Sequence, residues 1–154
     1  MNRQILKLYI NGGFTMTIEY NNNLSADEYC MLRKSVGWSD ISISIVKQAI
    51  EKSDFIITAE LTNTKIGMGR VITDGTQAFI VDVVVHPNYQ GSGIGKSMML
   101  KIMDYLKESL QEGQKILVNL TATKGQEDFY TKFGFEVRPT EKLGKGMAQW
   151  VYYV

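Results

Sequence analysis

The sequence predicts a mixed α/β fold, because strand-like and helix-like hydrophobic patterns alternate along the chain. Three β-branched or alternating stretches within residues 55–85 are followed by a long amphipathic segment at 94–110 and by a further apolar run at 115–120. Tight turns join antiparallel neighbours, whereas a crossover helix joins parallel ones. We therefore expect a mostly antiparallel sheet with one parallel pair and with helices on its faces.

The first 15 residues are the least typical part of the chain. Gly12 and Gly13 interrupt a short apolar and basic segment, and a fresh alternating pattern begins at Met16. We expect residues 1–15 to be an extension, from an upstream start or disordered, and residues 16–154 to form one domain, since 154 residues is within the usual size of a single domain.

The remaining elements follow from local signals. Ser25 and Glu28 have the spacing of a capping box, and the helix they open ends near Gly37, followed by a second amphipathic helix at 43–53. Strands are predicted at 55–60, 65–72 and 77–85, with turns at 62–64 and 74–75. A helix through Phe133 should end at Gly134, with a strand starting at Phe135 and a last strand at 149–153.

The most informative stretch joins the strand at 77–85 to the long helix. Gly91, Gly93 and Gly95 lie at alternate positions, so that backbone N–H groups without side chains in the way can converge on an anion. The helix dipole adds about half a positive charge, and Lys96 adds a full one. A phosphate or pyrophosphate is the expected guest; the alternative, an ordinary glycine-rich helix start, leaves the conformational cost of three glycines without compensation.

Two common phosphate-binding patterns do not fit this stretch. A P-loop ending at Gly95, Lys96 and Ser97 would need its first glycine at position 90, which is Gln90. A dinucleotide-binding turn needs G-x-G-x-x-G, whereas residues 91–95 read G-x-G-x-G. The segment instead resembles the coenzyme A loop of the GNAT N-acetyltransferases, [QR]-x-x-G-x-[GA], which residues 90–95 match at every specified place after Val-His-Pro at 85–87.

A second motif carries the same resemblance. Residues 129–135 read Phe-Tyr-Thr-Lys-Phe-Gly-Phe, which is similar to the family signature of a short helix ending in [FL]-Y-x-x-x-G-F. The resemblance covers about residues 16–151. It implies the GNAT acyl-CoA N-acyltransferase fold, with a splayed central parallel pair of strands, and acetyl-CoA as co-substrate.

The resemblance also implies which residues bind the co-substrate. The strand backbone after Asp82 would pair with the pantetheine arm, and the amides of the loop would hold the pyrophosphate. Thr123 stands where the family often has an asparagine, and Lys124 or Lys132 would meet the phosphate of the adenosine end. The implied co-substrate-binding residues are Val83, Val84, Val85, Gln90, Gly91, Ser92, Gly93, Ile94, Gly95, Lys96, Thr123 and Lys124.

The implied chemistry is direct attack of an amine on the acetyl thioester. Tyr130 stands where the family places the general acid for the leaving thiolate; the alternative is an aromatic core residue. Asp82 is the candidate base, with a structural carboxylate as the alternative, while Glu60 and Asp40 are weaker candidates and His86 is expected to be a turn residue. A backbone N–H of Val83 or Val84 would meet the developing oxyanion.

The first two helices flank the acceptor site in this family, which places Tyr29, Arg33 and Trp38 near the substrate, although Trp38 has a purely packing role as its alternative. The resemblance implies an N-acetyltransferase for a primary amine of a small molecule. A catalytically idle acyl-CoA-binding regulatory module and a protein or peptide N-acetyltransferase remain open, and so does a homodimer.

Composition gives no support for a nucleic-acid-binding, membrane-spanning or zinc-binding protein. The net charge of +1 gives no nucleic-acid footprint, and no apolar run of 18 residues suggests a membrane span. One cysteine and one histidine are too few for a zinc site. With a single cysteine and no export signal, a cytoplasmic protein is expected.

Overall fold

The computed structural model describes residues 6–10 and 14–153, with side chains from 17 to 153. The chain divides after Leu120 into two units, which are described separately. Part of the predicted extension, residues 1–5 and 11–13, lies outside the described residues. The boundary at Met16 and the single domain therefore stay predictions. No helix in the described part of the chain has the length and apolar character that crossing a bilayer requires.

The first unit contains a six-stranded sheet whose strands follow one another in chain order. All neighbouring pairs are antiparallel except the last, which is parallel. This confirms the mostly antiparallel sheet with a parallel pair after the crossover helix. The strands are β1 (Leu6–Ile10), β2 (Phe14–Asn21), β3 (Phe55–Leu61), β4 (Thr64–Thr73), β5 (Gln77–Val85) and β6 (Leu117–Leu120).

Three α-helices accompany the sheet: α1 (Ala26–Ser35), α2 (Ile43–Glu51) and α3 (Ile94–Glu108). The capping box at the start of α1 is present, since the Glu28 amide donates to Ser25 Oγ and the Ser25 amide donates to the Glu28 carboxylate. The helix α2 ends two residues before the predicted boundary, and the side chain of its N-cap residue, Ser42, makes no capping hydrogen bond.

The two faces of β4 are packed by different helices. Gly67 and Gly69 face α3, where a Cβ on Gly67 would meet Met98 Sδ at 3.2 Å and a Cβ on Gly69 would meet Ile102 Cδ1 at 3.2 Å. On the other face, Met68 packs in one buried cluster with residues of α1 and α2. The other fully or nearly fully buried members of that cluster are Ala26, Tyr29, Leu32, Val46 and Val84. The helix α3 therefore approaches the sheet closely where β4 lacks side chains.

The strand β5 changes its pairing at its middle. Its parallel ladder with β6 ends at Ile80, opposite Leu120, whereas its antiparallel ladder with β4 continues to Val85. Between the β4 partners of Val81 and Val84 the register shifts, so that Asp82 and Val83 both lie opposite Gly69. Such a β-bulge bends a strand and leaves one residue unpaired. The second half of β5 is thus an open edge in the described sheet.

The second unit, residues 121–154, contains the helix α4 (Glu127–Thr131), which is shorter than predicted. Gly134 has φ +87° and ends the turn as expected. Phe129 packs edge-on against Tyr130 and Phe133, and Tyr130 against Phe135. The strands predicted at Phe135 and at 149–153 are wrong, because residues 132–153 contain no strand. An alternating pattern favours a strand only where a neighbour pairs with its backbone.

Candidate active site

The glycine loop, residues 90–96, follows β5 and runs into α3, whose first three residues it includes. A short 3₁₀ turn at Pro87–Tyr89 leads into it. Gly91 and Gly93 have φ of +78° and +83°, a conformation that side chains disfavour. A Cβ on Gly91 would meet no atom within 4 Å. Glycine is therefore required at this position by the backbone conformation and not by crowding.

The start of α3 carries no side-chain cap. Its N-cap residue is Gly93, and among the described residues no side-chain hydrogen bond caps the helix. Helix starts usually satisfy these N–H groups with Ser, Thr, Asp or Asn. The first turn of α3 also has no acidic residue, whereas it contains the exposed Lys96. The arrangement leaves donors and positive charge for an anion at this helix start.

Two side chains fix the approach to the loop. Gln90 Nε2 donates to the carbonyl of Val85 at 2.9 Å, which ties the loop to the end of β5. Ser92 Oγ donates to the carbonyl of Tyr89. His86 Nδ1 accepts from the Asn88 amide at 3.3 Å, as a turn residue does. Thr123 and Lys124 are exposed in the second unit, before α4. The contacts that the resemblance implies between these residues and a coenzyme stay predictions.

Asp82 lies in the bulge of β5 and collects three partners from distant parts of the chain. Its Oδ2 accepts from Tyr29 Oη at 2.8 Å and from Arg70 Nη2 at 2.6 Å, and its Oδ1 accepts from Arg33 Nη1 at 3.2 Å. Only 12% of the Asp82 side chain is exposed. We call Tyr29, Arg33, Arg70 and Asp82 the Asp82 cluster. These contacts are those of the structural carboxylate that the sequence analysis gave as its alternative.

The predicted acceptor-side residues Tyr29, Arg33 and Trp38 come together around this cluster. The Arg33 guanidinium carbon lies 5.0 Å from the Trp38 ring centre and 5.7 Å from the Tyr29 ring centre. Arg33 Nε is buried and has no hydrogen-bond partner among the described residues. Burial is the main cause that raises the pKa of Tyr29, with the adjacent Asp82 carboxylate as the second. The Tyr29 phenol therefore keeps its proton and donates to Asp82.

Sequence reasoning missed Arg70. Its side chain is 7% exposed, and the only local signal was a charged residue within the otherwise apolar run at 66–72. The weaker base candidates lie outside the Asp82 cluster. Glu60, on β3, pairs with Lys65 and Asn21. Asp40 lies in the exposed loop after Trp38. The hydrogen bond from Lys65 is the main reason why the pKa of Glu60 is lowered.

Tyr130 lies on α4 in the second unit, within the aromatic group of Phe129 and Phe135. Burial raises the pKa of its phenol above the ordinary value of 10.0. A phenol in this state is protonated throughout the neutral range. It can therefore act as a proton donor at neutral pH.

Comparison with known proteins agrees with these features. Residues 52–137 match the acetyltransferase (GNAT) domain. An uncharacterized N-acetyltransferase, ycf52, of Pyropia yezoensis is 32% identical over 120 residues, which is 75% of this chain and 67% of that protein. A probable acetyltransferase of meticillin-resistant Staphylococcus aureus has a solved structure with a TM-score of 0.77 and 33% identity, covering 89% of this chain and all (100%) of that one.

A GNAT family acetyltransferase of Streptococcus pneumoniae is similar at a TM-score of 0.70 and 28% identity, covering 89% of this chain and 98% of that one. This similarity assigns the mixed sheet, the glycine turn and the crossover helix described above to the class of acetyltransferase folds. Within that class, the chain belongs to the GNAT family and is an N-acetyltransferase. The resemblance noted from its two motifs is confirmed.

Proposed function

We propose that the protein transfers an acetyl group from acetyl-CoA to a primary amine of a small molecule. The observation that carries the proposal is the glycine loop, where left-handed Gly91 and Gly93 precede a helix start without a side-chain cap. Free amides, a helix dipole and Lys96 suit a pyrophosphate. The residues present therefore fit coenzyme A.

The open half of β5 supports the binding of the pantetheine arm of acetyl-CoA. Beyond Ile80 this strand has no neighbour on the side of β6 within the described sheet. Backbone groups on an open edge pair readily with an extended amide-containing ligand. We propose that the backbone of Val83, Val84 and Val85 binds the pantetheine arm, and that an amide of Val83 or Val84 donates to the carbonyl oxygen of the acyl group.

Acetyl-CoA supplies an acetyl group as a thioester, and the thiolate of coenzyme A is the leaving group. We propose that Tyr130 Oη holds the proton that the leaving sulfur takes up. Its place in the Phe-Tyr-x-x-x-Gly-Phe motif supports this role, and so does the raised pKa of its phenol. The contacts of Asp82 favour the structural alternative for that residue, because both of its oxygens already accept from guanidinium groups.

The acceptor is proposed to lie beside α1 and the following loop. Tyr29, Arg33 and Trp38 line that side through their contacts with one another. The ammonium form of the acceptor must lose a proton to solvent water before the amine attacks, since a simple primary amine has a pKa of about 10.4. No metal-ion chemistry is included in this proposal.

Two measurements test the proposed function. Calorimetric titration with acetyl-CoA measures binding, and release of free thiol with a panel of amines measures transfer. Binding with turnover on at least one small amine supports the enzyme. Tight binding without turnover on any amine supports the regulatory module, turnover on peptides alone supports a protein acetyltransferase, and no binding contradicts the proposal.

Tyr130→Phe tests the proton donor. We expect kcat to fall by roughly 10²-fold, the lower end of the effect of a positioned acid, with the dissociation constant of acetyl-CoA nearly unchanged. The wild type should also lose activity only above about pH 10, since the raised pKa keeps the phenol protonated below it, and the variant should lack that alkaline fall. Tyr105→Phe, at an α3 phenol that donates to the Asp54 carbonyl, is the matched control. Equal rates for both variants would leave Tyr130 as a packing residue.

A further inference from the structure

Asp82 holds an unusual backbone conformation. Its φ is +53°, in the left-handed region that residues with a side chain seldom adopt, although Asp and Asn tolerate it best. It is part of the bulge in which Asp82 and Val83 face the single residue Gly69. Something must hold this conformation, because a left-handed residue with a side chain is strained unless its surroundings support it.

Arg70 provides the strongest support. Its Nε and Nη2 both donate to Asp82 Oδ2, at 2.9 and 2.6 Å. Charge-assisted bonds of this kind are about twice as strong as neutral ones. Arg70 lies on the neighbouring strand β4, opposite Val81, directly beside the point where the register shifts. The anchored residue thus lies within the bulge, and the residue that anchors it lies next to the bulge on β4.

The same guanidinium also holds the end of α2. Its Nη1 donates to the carbonyl of Ala49 at 2.8 Å and to Ser53 Oγ at 2.7 Å. Carbonyls in the last turn of a helix lack intrahelical partners, and Ser53 Oγ also donates to Ala49. The Arg70 guanidinium therefore donates to Asp82 on one side and to Ala49 and Ser53 on the other. It links the C-terminal end of α2 to the bulge of β5.

We infer that Arg70 is a positioning residue that acts through Asp82. It holds the bulge in the backbone conformation in which the amides of Val83 and Val84 are presented to the acyl group. The inference rests on the proposed function, because that function gives the two amides their role. Arg70 touches neither the acceptor nor the coenzyme in this account, and its effect reaches the reaction only through the backbone of β5.

Lys65 offers a matched control on the same strand. It too is a buried cation, with 5% of its side chain exposed, and it pairs with the carboxylate of Glu60 next to a register shift between β3 and β4. Lys65→Met removes a comparable ion pair. It leaves the bulge of β5 intact. A purely structural role for Arg70 predicts that Arg70→Met and Lys65→Met behave alike.

The experiment compares Arg70→Met, Arg70→Lys and Lys65→Met with the wild type. We expect Arg70→Met to lower kcat by roughly 10–100-fold, since a misplacement of about 1 Å can cost about 10²-fold. It should weaken acetyl-CoA binding by a smaller factor, because the glycine loop is untouched and only the proposed pantetheine contacts of Val83 and Val84 are disturbed. Arg70→Lys should recover only part of the rate, since one ammonium cannot serve both sides. Lys65→Met should retain the wild-type kcat.

A readout without turnover separates this inference from the proposed function. The amide resonances of Val83 and Val84 should shift in Arg70→Met and stay in place in Lys65→Met. Asp82→Asn, which keeps a side chain that tolerates φ > 0, should shift them less than Asp82→Ala. Unchanged resonances, or a kcat equal to that of Lys65→Met, would overturn the inference. So would failure of both Arg70 variants to fold while Lys65→Met folds, whereas a wild type without turnover contradicts only the proposed function.

Discussion

The glycine loop and the Asp82 cluster lie in the same unit and meet the same strand, yet they are built from different parts of the chain. In the loop, backbone amides and glycine conformations make the site, and the nearby side chains Gln90 and Ser92 only donate to backbone carbonyls. In the cluster, side chains do everything, through charge-assisted hydrogen bonds to one carboxylate. A loop of the first kind should fail when atoms are added, and a cluster of the second kind when atoms are removed.

The largest effect is expected in the loop. Gly93→Glu introduces a side chain at φ +83° and an anion at the start of α3, where it would compete with a phosphate for the same amides. We expect the affinity for acetyl-CoA to fall by at least about 100-fold, or about 2.7 kcal/mol. Calorimetric titration measures it.

Gly75→Glu is the control for this substitution. Gly75 also has a left-handed backbone, with φ +87°, and nothing lies within 4 Å of its Cβ position. It lies in the turn between β4 and β5, which the loop does not share. The control should bind acetyl-CoA normally. Equal loss in both variants would attribute the effect to backbone strain, and retained binding by Gly93→Glu would contradict the loop assignment.

A smaller effect is expected where β4 supports both regions. Gly67→Ala would bring a Cβ to 3.2 Å from both Met98 Sδ and the carbonyl oxygen of Val84. The side chain can move, but the carbonyl belongs to the open half of β5. We expect a loss of about 1–3 kcal/mol in the free energy of unfolding, as overpacking usually costs, measured by chemical denaturation.

Gly69→Ala sharpens this prediction. The nearest atoms to its Cβ are the side-chain ends of Ile102 and Ile57, at 3.2 and 3.4 Å, with no backbone atom among the three nearest. It should cost less than Gly67→Ala and should leave the affinity for acetyl-CoA unchanged. A larger cost for Gly69→Ala would show that α3, and not the strand edge, limits the packing.

The same contrast explains what could be read from the sequence. The loop consists of consecutive residues, so the strand before it and the helix start after it were predicted correctly. The capping box of Ser25 and the end of β5 at Val85 were equally local. The partners of Asp82 instead stand 53, 49 and 12 positions away, for Tyr29, Arg33 and Arg70. Nothing local marks such a set.

The failures have the same cause. The bulge at Asp82 depends on how two strands register, and a single acidic residue in a valine-rich run was its only trace. The strand predicted for residues 149–153 had the right alternation, yet Trp150 is 81% exposed and the segment pairs with no strand. Pairing is decided by a neighbour that a one-dimensional pattern does not contain.

The smallest effect is expected from removing one atom of the cluster. Tyr29→Phe deletes the hydroxyl that donates to Asp82 Oδ2, which still accepts from two Arg70 nitrogens. We expect a loss of about 1 kcal/mol in the free energy of unfolding near neutral pH, and no change in the affinity for acetyl-CoA. A loss above about 3 kcal/mol would contradict this estimate, since it would mean that the arginines do not hold Asp82 alone.

The pH dependence of the same variant gives the sharper test. Burial raises the pKa of Tyr29 in the folded protein above its ordinary value of 10.0. Its contribution to stability is therefore complete below pH 10.0 and is lost as the pH rises through the folded value, because the unfolded chain releases this proton first. The difference between wild type and Tyr29→Phe in chemical denaturation should shrink above pH 10.0. A difference that grows with pH would mean that the phenol is ionised more easily in the cluster than in water, contrary to the effects of burial and of the adjacent carboxylate.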